Sequence, residues 1–158
     1  MIISRTRFAG MNEVAVGRFV AKVRESIPVR GLVNVLVTSS SEMKRLNSRF
    51  RGKDEATDVL SFPANGMNGL AGEIAISFDI AKRNAQHLGH STSDEIKILV
   101  LHGILHLAGY DHENDHRKMY REEQRLRELL KLPDGLIARN GSQRGIQPNL
   151  KAGARLKP

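Results

Sequence analysis

"HGILHLAGYDH", residues 102–112, places three of the chain's six histidines at intervals of four and six, with Gly109 between the second and the third. On a helix, His102 and His106 lie one turn apart on one face, so both imidazoles reach the same point beside it. That is the arrangement a zinc ion asks of two of its ligands. Gly109 then offers a left-handed turn at low cost, and His112 follows as a third nitrogen. Three imidazoles on zinc leave one tetrahedral position for water, whose pKa falls toward about 7 in such sites. Nickel or another divalent metal would accept the same three imidazoles. The alternative is that His102 and His106 are hydrogen-bonded core residues and His112 a surface histidine; a third histidine at this spacing beyond a glycine weighs against it. His116, one turn beyond His112, is the competing ligand and reads as exposed on a charged helix.

The residues upstream decide what carries these histidines. Thr92 and Glu95 have the spacing of a capping box just before the apolar run Ile96, Ile98, Leu99, Val100, Leu101, Ile104, Leu105 and Leu107. This helix is apolar nearly all round, which makes it the buried central element, ended by Gly109. Residues 11–26 read as a helix gathering Val14, Val16, Phe19, Val20 and Val23 on one side, and "LVNVLVT" (32–38) as a buried strand. Ser39 and Glu42 begin a short helix; "DVLSF" (58–62) and "LAGEIAIS" (70–77) read as adjacent strands; helices follow over 79–88 and about 114–131. With a short N-terminal strand, the expected fold is α+β: one domain, a mixed sheet of about four strands, and helices in two or three layers over it.

Composition narrows the partners. A chain of 158 residues is the size of one domain, and the absence of cysteine leaves nitrogen and oxygen ligands for any metal and fits a reducing cytoplasm. The opening "MIISRTRFAG" has no apolar stretch of signal-peptide length, and the apolar run near 98–108 is too short for a bilayer, so a soluble protein without a membrane partner is expected. Lys and Arg total 25 against 17 Asp and Glu, a net charge of +8 that suits a polyanion such as RNA. With 4% aromatic residues and no Trp, contacts to phosphate are expected rather than base stacking, and binding should be salt-sensitive. From residue 132 onward, Arg139, Arg144, Lys151, Arg155 and Lys157 face only Asp134, and glycine and proline are frequent. This composition reads as a disordered basic extension, solvated or in contact with RNA.

The pattern H-x-x-x-H-x-x-G-x-x-H is similar to the metzincin zinc motif, with Gly103 in place of its glutamate. The full stretch resembles the signature of the YbeY family, bacterial endoribonucleases also called rRNA maturation factors. "LNSRFRGKDEATDVLSFP" (46–63) resembles that family's other motif, and with "GEIAIS" (72–77) the resemblance runs over about residues 32–130. It implies a zincin-like central helix and zinc on His102, His106 and His112 within a domain at 1–135, beyond which the basic tail runs over 136–158. The implied activity is single-strand-specific, metal-dependent endoribonuclease action in 16S rRNA 3′-end maturation and ribosome quality control. Implied partners are small-subunit rRNA, not DNA, and the ribosome or a 30S precursor, with a platform ribosomal protein and an assembly GTPase.

Gly103 also has a chemical meaning. A peptidase needs the glutamate to move a proton from water to the leaving amine, which glycine cannot do, so peptide hydrolysis is disfavoured. Phosphodiester cleavage needs a cation aimed at the developing oxyanion. Arg51 matches the arginine after the aromatic residue in the family motif, and its guanidinium suits forked contact with phosphate; a salt bridge to Asp54 or Glu55 is the structural alternative. Asp111 stays open as general base, orienting group or helix cap. Lys44, Arg45, Arg49 and Lys53 are either an extended phosphate-binding surface or a solvated helix face. Phe50 stands where the family commonly has tyrosine, Glu73 where it usually has aspartate, and the tail has no counterpart in the resemblance. A metzincin-like metallopeptidase and a non-catalytic ribosome-assembly factor with structural zinc are the competing functions.

Overall fold

The computed structural model describes residues 2–4, 11–110 and 116–133. Asp111, His112 and the tail at 136–158 lie outside them, as does the side chain of His116.

Strand β2 (Leu32–Thr38) has the expected bounds and is joined along one edge by β1 (Ile2–Ser4), both running parallel. Its other edge pairs in parallel with β4 (Leu70–Ser77), which pairs antiparallel with β3 (Val59–Pro63). The sheet is therefore mixed, in the order β1-β2-β4-β3. Side chains alternate between the faces of a strand. Val33, Val35, Val37, Val59, Ile74 and Ile76 accordingly enter the main core, while Leu36, Leu60, Phe62 and Ala75 meet Met43 and Leu46 in a smaller cluster on the opposite face. The helices thus lie on both sides of the sheet: α2 (Ser40–Arg51) covers one face, and α1 (Glu13–Ser26), α4 (Thr92–Leu107) and α5 (His116–Leu129) build the core on the other.

Most helix starts follow their capping residues. Asn12 accepts from the backbone N–H of Ala15 to begin α1, and Ser39 accepts from that of Glu42 to begin α2. Helix α3 (Phe78–Leu88) is capped by Ser77. Two expectations need correction. Val14 is exposed, leaving Val16, Phe19, Val20 and Val23 as the inner face of α1. The cap of α4 is Ser91, which accepts from the N–H of Asp94, in place of Thr92 with Glu95. Glu95 is drawn inward instead, where its Oε1 lies 2.7 Å from His90 Nε2.

Helix α4 is buried almost all round because sheet strands β3 and β4 and helices α1, α3 and α5 all pack on it. Two glycines permit its close approach to the sheet. A Cβ at Gly103 would stand 2.9 Å from Ile74 Cδ1, and one at Gly72 would collide with the Leu107 side chain and come within 2.7 Å of the Phe62 carbonyl. No helix among the described residues is long and apolar enough to cross a membrane.

Candidate metal centre

Helix α4 stops just beyond the second histidine. Gly109, at φ +96°, donates its N–H to the carbonyl of His106, and Tyr110 donates to Leu105. This pairing closes the last turn and reverses the chain in a conformation glycine adopts without strain.

His102 and His106 are both buried, and their rings meet nearly edge to face with centroids 4.8 Å apart. Their Nε2 atoms face each other at 3.2 Å. On the far side of the first ring, His102 Nδ1 lies 3.0 Å from Glu123 Oε2, which arrives from α5. A carboxylate only accepts, so His102 donates from Nδ1, which leaves Nε2 as the nitrogen able to offer a lone pair. Two zinc-bound nitrogens at about 2.0–2.1 Å in tetrahedral geometry stand about 3.3 Å apart. The pair therefore has the separation and donor chemistry to share one such ion. Among the described residues no set of three His, Cys, Asp or Glu side chains is close enough to hold a metal by itself.

The three motif stretches meet on α4. Ser61, in the second motif, donates its hydroxyl to the carbonyl of Gly103 at 3.3 Å, and Gly72 and Ile74, in the third, pack against Leu107 and Gly103. A side chain at position 103 would be directed at the sheet, so packing favours a small residue after His102.

Arg51 is the last residue of α2 and is partly buried. Both ends of its helix are held. Ser40 donates from its N–H and its hydroxyl to Asp79 Oδ2 at 2.9 and 3.0 Å, linking α2 to α3. At the other end Gly52 turns left-handed, and the buried Asn47 amide donates to the Glu55 carbonyl at 2.9 Å. Asp54, one of the acids offered above as a partner for Arg51, lies 3.9 Å from Lys44 Nζ. Arg45 pairs with Glu42, and Arg49 stands over the Phe50 ring at 5.3 Å from its centroid. Lys44, Arg45 and Arg49 are exposed along α2 and border a groove of about 410 Å³ with Glu42 and Asp54, so the surface carries both signs of charge.

Sequence reading missed Glu123, which sits beside Glu122 in a strongly charged helix. Its signal was spacing: Met119, Glu123 and Leu126 share the buried face of α5. Glu122 points outward and pairs with Arg125, whose pKa is raised by that hydrogen bond.

Comparisons with known proteins agree with this architecture. The family model described as Endoribonuclease YbeY matches residues 9–131. A protein of Koribacter versatilis named Endoribonuclease YbeY is 52% identical over 157 residues, covering 99% of each chain. That alignment extends into the basic tail, whereas the family model stops at residue 131. The Endoribonuclease YbeY of Nautilia profundicola is 51% identical over 109 residues, which are 68% of this chain and 78% of the relative. The solution structure of TM1509 from Thermotoga maritima superposes with a TM-score of 0.58 at 32% identity, covering 79% of this chain and 85% of that one. By family-model match and by identity over nearly the whole chain, this protein belongs to the YbeY family.

Proposed function

We propose that the chain is a zinc-dependent, single-strand-specific endoribonuclease of the cytoplasm, acting in 16S rRNA 3′-end maturation and ribosome quality control. One observation carries the metal part of this reading: two buried imidazoles whose Nε2 atoms face each other at 3.2 Å, one backed by a carboxylate. His102 and His106, on a zincin-like helix, supply two ligands, and His112, three residues past Gly109, supplies the third. Family membership supports RNA as the substrate, and so does the net charge of +8.

When bound, zinc supplies a Lewis acid that polarises a phosphate oxygen or water. Nickel or another divalent ion would suit three imidazoles, and metal analysis of the purified protein decides between them. Arg51 places a cation against the phosphate, where the charge developing on the non-bridging oxygens makes the contact stronger in the transition state. Lys44, Arg45, Arg49 and Lys53 extend the backbone-contacting surface, with Asp54 and Glu42 moderating it. The domain at 1–135 performs the cleavage and the tail at 136–158 adds a salt-sensitive contact to RNA. The working assembly comprises the ribosome or 30S precursor, a platform ribosomal protein and an assembly GTPase.

The test incubates assembled small-subunit precursors with wild-type protein, with His112→Ala and with Arg51→Ala. Scission is expected from the wild type alone, with zinc retained by Arg51→Ala and lost by His112→Ala. Absence of scission by a zinc-loaded wild type would favour the non-catalytic assembly factor. Undiminished cleavage by Arg51→Ala would remove that residue from the mechanism.

A further inference from the structure

Glu123 lies in none of the motifs, yet its carboxylate closes the buried side of the histidine pair. We infer that it is a positioning residue for the metal, accepting the Nδ1–H of His102 and so turning that ring's Nε2 lone pair toward His106. The inference rests on the metal site proposed above.

The geometry leaves the ring little choice. His102 and Glu123 side chains are only 1% and 2% exposed and lie 3.0 Å apart. A neutral imidazole carries one N–H, and with that proton directed at an acceptor-only carboxylate, the remaining lone pair is on Nε2. That atom is 3.2 Å from its counterpart on His106. A carboxylate behind a ligating imidazole fixes tautomer and orientation and raises the basicity of the ligand. The contact spans 21 residues, so it forms only when α5 docks on α4. Met119, fully buried one turn before Glu123, packs on the same face of α5. Docking of the C-terminal helix thus orients a ligand that lies on the central one.

A merely structural role would make the contact a pin between two helices, and metal affinity separates the two roles. Zinc affinity of the full chain, measured by competition with a chromophoric chelator, should fall about 10–100-fold in Glu123→Ala. Glu123→Gln should lose less, because the amide carbonyl still accepts the Nδ1–H. Leu126→Ala removes buried volume from the same face of α5; it should lower the melting temperature of the metal-free protein yet keep the wild-type affinity. The absorption spectrum of the cobalt-loaded protein should change in Glu123→Ala and not in Leu126→Ala. Unchanged affinity in Glu123→Ala, or an equal loss in Leu126→Ala, overturns the inference while the metal site stands. A wild type that binds no zinc overturns both together.

Discussion

At the N-terminal end of α4, His90 Nε2 lies 2.7 Å from Glu95 Oε1; toward its C-terminal end, His102 Nδ1 lies 3.0 Å from Glu123 Oε2. Both glutamates are buried, and both contacts join an imidazole to a carboxylate. The difference is which nitrogen the carboxylate engages. In the first pair Nε2 is taken, and the partners are five residues apart, so the contact ties a loop to the first turn of its own helix. In the second Nδ1 is taken, the partner comes from another helix, and Nε2 is left facing a second imidazole. A buried histidine–glutamate pair is therefore by itself a packing feature. The second pair has instead the arrangement that a metal centre would need, with the carboxylate on the outer nitrogen and a second imidazole facing the inner one.

The sharpest way to break this comparison is to delete one ring from each end. His106→Ala should abolish zinc retention and RNA cleavage, whereas His90→Ala should keep the wild-type zinc content and lose about 1–3 kcal/mol of stability, measured by urea unfolding, from the altered buried pair. Loss of metal from His90→Ala would mean that the two ends are not distinct. A smaller effect is expected from Gly103→Ala. The new methyl would press on Ile74, costing about 1–3 kcal/mol, and Ile74→Val in that background should recover part of it. Because Gly103 adjoins His102, calorimetry paired with zinc affinity would show whether the overpacking displaces the metal face as well. The smallest effect belongs to Arg125→Ala. Its pair with Glu122 is half-exposed, and despite the raised pKa of Arg125 its loss should change stability by less than about 0.5 kcal/mol. A larger loss would mean that α5 depends on its outer face to present Glu123.

Much of the fold was legible because local chemistry and hydrophobic period agreed. Ser39 and Gly109 mark helix ends where those residues are expected, and "LVNVLVT" is a strand from its first residue to its last. Errors arose where a local rule met a tertiary demand. Thr92 and Glu95 satisfy the capping spacing, but Ser91 is the cap and Glu95 turns to His90, because a carboxylate entering the core is accommodated only with a partner. Val14 fits the apolar stripe of α1 but lies outside the arc that the sheet and α4 cover.

The sequence by itself determined the pair of histidines on one helical face, the glycine that ends their helix and the family to which the chain belongs. Each follows from spacing, which the helix repeat and the rarity of positive φ make readable without a partner. Only the tertiary structure decided which acid stands behind His102, why position 103 is glycine and how the three motifs meet. These depend on atoms brought together across 21 residues from Glu123, 42 from Ser61, and from Ile74 on the sheet. One glutamate of α5 faces the core and its neighbour faces water, and composition cannot separate them. The packing of α5 against α4 does, because a buried carboxylate is stable only where a donor waits for it.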